Sequence, residues 1–399
     1  MQQVVDFSVV ESEQTAVADT GGESPAVRPP LQHVVLLCHF GRAGYNVQRA
    51  LHGIAARTFL VHDKHAGSVR WSRDCELLHA CDELNTADAA HIAEQINVLH
   101  RAIGIDCVIP ADIEASLLVS KMLGTITPPI FPIPDTAVLH RLDNKWTFNN
   151  LCLEHGVAVP KTLHFKNNAD FDARAVDNTL GYPVIVKPEV GFGQRDIVIL
   201  RSEAAARSFR EADSHPNGIV VQEIVAGQDW ALSVFARNGV VTHWVTWECP
   251  EQLEGGPRTR YGVSRFQTTH FRDHPALVEM GKQLIAATGF SGIANFDARL
   301  DETGRMVLFE CNPRLFNRIL AARMCGLNFI AAGLDNAPIQ RSTLAPCDYY
   351  PWQEMFTLRG WRNLLTGRWD LKYLRRDLYE MIRDPLPPLV RKLTKEENQ

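Results

Sequence analysis

Apolar residues between 31 and 110 come in short bursts, separated by longer stretches with a helical period. His33-Val34-Val35-Leu36-Leu37-Cys38 reads as a buried strand; Gly41 and Gly44 follow it, then a helix from Tyr45 to Ala56. Thr58-Phe59-Leu60-Val61 predicts a second strand and Cys107-Val108-Ile109-Pro110 a later one, with a helix over Ala87 to Ala102 between them. Apolar strands alternating with helices predict a parallel sheet covered on both faces, so the fold class is α/β. Ahead of this domain, residues 1–30 are acidic and small, and predict a disordered arm. Behind it, Pro128-Pro129 and Pro132-Ile133-Pro134 form a stiff connection that sets a boundary near residue 135. A second domain then runs over 136–335. Residues 336–399, rich in Trp, Arg and Leu, predict a helical C-terminal region.

The sequence holds 399 residues, 41 of them basic and 46 acidic, for a net charge of -5. That balance argues against a nucleic-acid binder, which shows a basic excess. Nine cysteines are scattered without a CxxC pair or zinc spacing, so a disulfide framework or zinc site is not expected. With no apolar run long enough to cross a bilayer and no signal-peptide pattern at the N-terminus, the expected compartment is the cytoplasm. Gly41-Arg42-Ala43-Gly44 departs from the GxGxxG phosphate loop, which favours a structural α/β domain over a dinucleotide site.

Four separated segments carry the candidate chemistry. Pro183-Val184-Ile185-Val186-Lys187-Pro188 is a strand ending in lysine, and Gly191-Phe192-Gly193 follows. Lysine supplies a point charge for phosphate oxygens, and glycines let backbone N–H groups approach them. Ile219 to Asp229 contains Gln222-Glu223-Ile224-Val225-Ala226-Gly227-Gln228-Asp229, a strand edge able to offer backbone groups to an adenine and carboxylates to a ribose. Asp297, in Gly292 to Arg299, and Glu310 and Asn312, in Val307 to Arg314, flank a turn at Asp301-Glu302-Thr303-Gly304. Residues i and i+2 of a strand share a face, so Glu310 and Asn312 project together. Two carboxylates and an amide oxygen form an oxygen-only set that suits Mg²⁺ held jointly with phosphates. Each motif has a plainer reading, as a solvated lysine, an edge strand or an acidic hairpin. It is their order along one chain that favours the site.

With Lys145 in Asp143-Asn144-Lys145 preceding them, these motifs resemble the ATP-grasp superfamily over roughly residues 31–335, and within it the carbamoyl-phosphate-synthase-like and amino-acid-ligase branch. The resemblance implies a Rossmann-like pre-ATP-grasp domain at 31–135 and a two-lobed α+β ATP-grasp domain at 136–335. It implies ATP and Mg²⁺ as cofactors. Lys145 and Lys187 then contact phosphates, with Gly191 and Gly193 in the closing loop. Gln222, Glu223 and Val225 lie at the adenine hinge, and Asp229 on the ribose. Asp297, Glu310 and Asn312 are the metal ligands, and Arg314 steadies the transferred phosphoryl group.

The implied activity is a carboxylate–amine ligase forming an amide or peptide bond through an acyl phosphate, with small-molecule carboxylate and amine substrates such as amino acids. Gln194 and the run Leu315-Phe316-Asn317-Arg318 depart from the common pattern, which leaves the substrates open. Arg318, just past the metal strand, is the candidate cation for a substrate carboxylate, ahead of Arg258, Arg260 and Arg265. A carboxylase or carbamoyl-phosphate type enzyme, a phosphotransferase and a non-catalytic nucleotide binder are the competing classes. The C-terminal helix is basic and amphipathic, but Asp370, Asp377, Glu380 and Asp384 interleave its cations. They favour packing on the protein, or on a second subunit of a homodimer, over a membrane surface.

Overall fold

The computed structural model describes residues 31–191, 197–211, 218–248, 268–316, 318–334 and 342–393. The N-terminal arm and the arginines at 258, 260 and 265 lie outside the described residues. The first layer runs β1 (Leu31–Cys38), α1 (Gly41–Ala50), β2 (Ala55–His62), β3 (Cys75–Ala80), α2 (Ala89–Ile103), β4 (Cys107–Pro110) and α3 (Ile113–Met122). Its four strands are parallel, in the order β3-β2-β1-β4. Alternate β1 residues enter different cores. Val35 and Leu37 pack with Ile96 and Leu118, whereas Leu36 and Cys38 join Tyr45 and Val47 on the other face. Both faces are therefore covered, as the continuous apolar run predicts.

Two predictions for this layer need correction. The helix expected to reach Ala56 stops at Ala50: the chain turns at Gly53, which takes φ +78°, and Ala55 and Ala56 already belong to β2. Ile54 and Ala55 had extended the apolar period past the turn. β3 leaves no apolar signature in the sequence, because Cys75-Glu76-Leu77-Leu78-His79-Ala80 is a half-exposed edge strand without a buried run.

Next come α4 (Thr136–Asp143), α5 (Lys145–Glu154), β5 (Thr162–Phe165), α6 (Ala173–Thr179), β6 (Val184–Pro188), β7 (Val198–Leu200), α7 (Glu203–Glu211) and β8 (Ile219–Glu223). The strands form a small antiparallel sheet, β5-β8-β6-β7. Val184, Val186, Ile219 and Val221 face a core holding Phe171 and Phe209. Because strand residues alternate, Ile185, Lys187, Val220 and Gln222 take the opposite face.

The large sheet is assembled from β9 (Gly227–Arg237), β10 (Val240–Glu248), β11 (Thr269–Phe271), β12 (Gly292–Asp301), β13 (Met306–Asn312) and β14 (Cys347–Tyr349). Its order is β13-β12-β9-β10-β11-β14, all antiparallel. Helix α8 (Pro275–Thr288) covers one face, where Leu284 and Ile285 meet Phe296 and Ala298. The short helices α9 (Ile319–Met324) and α10 (Phe329–Gly333) join the core shared with the first layer.

Residues beyond 350 are helical as expected: α11 (Leu358–Leu365), α12 (Leu371–Arg383) and α13 (Leu386–Leu393). The start of that region instead adds β14 to the large sheet. Helix α12 docks through acids as well as through Leu374 and Leu378. Glu380 accepts from Arg49 Nε at 2.9 Å and pairs with Arg323, while Asp377 accepts from Arg49 Nη2 at 2.9 Å. Arg323, Asp377 and Glu380 are buried and Arg49 is nearly so, so deleting one partner strands charge in a low dielectric. Glu380→Ala is expected to cost about 3–5 kcal/mol. Urea unfolding followed by far-UV circular dichroism checks it, and an unchanged midpoint would refute the latch.

Candidate active site

The site lies where the free face of the small sheet meets the polar face of the large one. Helix α5 begins at Lys145, and Asn144 caps it by accepting from the N–H groups of Trp146 and Thr147 at 2.9 and 3.0 Å. The cap is tied to the end of β6. Asn144 Nδ2 donates to Glu189 Oε2 at 2.6 Å, and Lys145 N donates to Glu189 O at 2.9 Å. Glu189 also pairs with His164, on which Trp146 stacks at 5.0 Å. This clamp aims Lys145 Nζ at Gly191 O, 3.1 Å away. Gly193 lies outside the described residues.

Lys187 is buried, its Nζ 5.1 Å from the centre of the Phe309 ring. Burial pulls its pKa down to about 8, with Glu310 opposing the shift and Lys145 adding to it. A bulge between Asp297 and Ala298 makes Phe309 the extra residue of β13 and brings it beside Lys187.

Opposite the lysines stands a ladder of polar pairs on β9, β12 and β13. Asp297 is in register with Glu310, and Asn295 with Asn312. Ser233 Oγ donates to Asn295 Oδ1 at 2.8 Å, and Asn295 Nδ2 to Asp297 Oδ1 at 2.8 Å. Asn312 Nδ2 reaches both carboxyl groups, Asp297 Oδ2 and Glu310 Oε1, at 3.2 Å each. Its Oδ1 accepts from Arg314 Nη2 at 2.8 Å. Burial, then the neighbouring Glu310 charge, pushes Asp297 far above the usual carboxylate range. Burial alone would raise Glu310 as well, but Lys145 and Lys187 outweigh it and hold Glu310 down.

The structure brings Lys145, Lys187, Asp297, Glu310, Asn312 and Arg314 together. It gives other partners to the remaining sequence candidates. Asp229 is buried, with Oδ1 accepting from Arg299 Nε at 2.6 Å across a registered strand pair. Arg299 Nη1 donates to Val225 O at 2.6 Å, so Asp229 and Val225 are joined through one guanidinium. Glu223 Oε1 accepts from Lys161 N at 2.9 Å. Gln222 Nε2 donates to Thr162 Oγ1 at 3.1 Å, while its Oε1 is buried with no hydrogen-bond partner. Arg318 is buried too. Its Nη1 donates to Thr268 O and Thr269 Oγ1, both at 2.8 Å, and its guanidinium lies 4.5 Å from the Trp247 ring centre.

Arg299, Phe309 and Asn295 also belong to this site. Arg299 and Asn295 stand two residues either side of Asp297, on the same strand face, which is their signal in the sequence. Gly227 explains the Gly-x-Asp motif: at φ +141° a side chain there would collide with the Leu300 carbonyl oxygen. Elsewhere, His39, Asp63 and Glu83 place ligand-type atoms within 4.8 Å of one another. Asp63 already accepts from His65 N, Leu84 N and His39, and Glu83 pairs with Lys64, so they form a closed hydrogen-bond network.

Lys145 of α5 and Lys187 of the small antiparallel sheet face oxygen donors on the larger one, behind a parallel-sheet domain, and this architecture is the ATP-grasp fold. Residues 217–348 match the family described as "ATP-grasp in the biosynthetic pathway with Ter operon". The chain is similar to L-amino acid ligase from Bacillus licheniformis, at 16% identity and a TM-score of 0.57, covering 80% of this chain and 78% of the other. It is similar also to an ADP complex of N5-carboxyaminoimidazole ribonucleotide synthetase, at 13% identity and TM-score 0.60, covering 85% and 86%. Among curated proteins it is 25% identical over 196 residues to D-alanine–D-alanine ligase of Ectopseudomonas mendocina, covering 44% of this chain and 58% of that ligase. The chain spans only 18% of the length of the Aspergillus terreus pyruvate carboxylase that it also matches at 23% identity.

Proposed function

We propose that this chain is an ATP-dependent carboxylate–amine ligase working through an acyl phosphate. The observation that carries the reading is the convergence of Lys145 and Lys187 on the cluster of Asp297, Glu310 and Asn312. Such a site matches a nucleotide whose phosphates meet cations on one side and a metal on the other. The buried Gln222 Oε1 supports an adenine on the small-sheet face, because an orphaned acceptor there would take an exocyclic amine donor.

The donor set fits Mg²⁺. Two part-buried carboxyls share one site, where Glu310 is held ionised and Asp297 is pushed up by it, so a cation there would relieve the pair; Asn312, which turns Nδ2 to both carboxyls, would offer Oδ1 on rotating its amide. Asp297, Glu310 and Asn312 would hold the ion, which supplies charge neutralisation for the phosphates. Lys145 and Lys187 hold phosphate oxygens, and Arg314, fixed on Asn312, steadies the group in transfer. The γ-phosphoryl group moves to a carboxylate oxygen and ADP leaves; the amine nitrogen then attacks the carbonyl carbon and phosphate leaves. Arg299 holds the strand geometry beneath, bridging Asp229 and Val225.

The ligase likenesses, to L-amino acid ligase and D-alanine–D-alanine ligase, favour amino acids as substrates over bicarbonate. The test is a screen of purified protein with ATP, Mg²⁺ and pools of amino acids. ADP and phosphate release that needs both a carboxylate and an amine is expected. AMP and pyrophosphate would contradict the reading, and turnover without an amine would favour a phosphotransferase.

A further inference from the structure

Helix α12 turns its acids inward. Asp377, Glu380 and Asp384 repeat at i, i+3 and i+7, and each is 3% exposed or less. Asp384 accepts from Ser72 Oγ at 2.6 Å, completing the latch formed with Arg49 and Arg323. In the sequence these acids dilute the positive charge of the region; in the fold they are withdrawn from the surface.

What remains outside is basic and apolar. Arg362, Arg368, Lys372, Arg375, Arg376 and Arg383 are exposed, and Asp370 is the one exposed acid among the described residues of α11, α12 and the turn between them. In α11, Leu358, Trp361 and Leu365, at i, i+3 and i+7, are 91%, 51% and 82% exposed. In α12, Leu371, Tyr379 and Ile382 are 57%, 61% and 71% exposed, with Lys372, Arg375 and Arg376 between them. Leu364 of α11 and Leu374 and Leu378 of α12 meet in one small cluster with Trp369, so the outward rows belong to a packed pair of helices. Neither helix is long and apolar enough to cross a bilayer.

We propose that the outer face of α11 and α12 docks on an anionic lipid bilayer, its apolar rows entering the headgroup boundary and its cations meeting lipid phosphates. Charge complementarity selects this occupant. A second copy meeting the face about a two-fold axis would set like charges against each other, since each side presents the same cations. A neutral bilayer would leave those cations unmatched.

The test uses full-length protein and vesicles of phosphatidylcholine with about 30% phosphatidylserine, against pure phosphatidylcholine, at low salt. Co-sedimentation with the anionic vesicles alone is expected, reversed by high salt. The triple variant Lys372→Glu, Arg375→Glu, Arg376→Glu should bind them at least about tenfold more weakly, with its unfolding midpoint unchanged because these side chains are exposed. Protein left in the supernatant with anionic vesicles overturns the proposal, as does equal binding to neutral ones. So does a dimer that the triple variant dissociates, which would assign the face to a second copy.

Discussion

Glu310→Gln is expected to lower magnesium-dependent ADP release about 10²- to 10³-fold and to raise the Mg²⁺ concentration needed for what remains. Glu310 is the carboxylate that stays ionised in the pair, because Lys145 and Lys187 hold its pKa down against burial. Its amide would keep the shape and the contact with Asn312 but lose the charge that a cation and two lysines share. The folded state should tolerate the change: Asp297 loses a repelling neighbour while the lysines lose a partner, and these effects oppose each other. Steady-state titration with Mg²⁺ checks the prediction. An unaltered magnesium dependence would move the metal elsewhere.

Lys187→Met is expected to be inactive yet more stable. Burial holds Lys187 at about 8 against an ordinary 10.5. The unfolded chain therefore keeps the proton more tightly, and the folded state bears a penalty that is complete below pH 8 and fades as pH rises towards 10.5. That penalty is worth about 3 kcal/mol, the upper limit of what methionine would recover at neutral pH. Methionine fills similar space beside Phe309 without a charge to desolvate. Denaturant unfolding of both proteins at pH 7 and pH 10 measures it: the stability gap should narrow at the higher pH. A variant less stable than the parent at pH 7, or one that still turns over ATP at the parent rate, would contradict the role given to this lysine.

Much of this site is legible in the sequence because strands write their faces at a period of two. Asp297, Glu310 and Asn312 could be placed on one face from the turn at Asp301 and the spacing alone, and the register of β12 with β13 agrees. The parallel first layer is legible for the same reason, its buried strands being short apolar runs. What the sequence hides are pairings between distant segments. Nothing near Asp229 announces that Arg299, 70 residues on, lies in register with it, so the ion pair is visible only once the strands are paired. The contacts of Arg318 with Thr268, Thr269 and Trp247 are likewise invisible in the sequence. The acids of α12 point correctly to a face packed on the protein, but helical spacing cannot say that Arg49 and Arg323 wait beneath them.

The central claim is that a carboxylate oxygen is phosphorylated before the amine attacks. Turnover with the carboxylate substrate labelled with ¹⁸O in both oxygens, followed by mass spectrometry of the phosphate released, tests it directly. An acyl-phosphate route transfers one labelled oxygen to each inorganic phosphate formed. Unlabelled phosphate, with product still made, would contradict it.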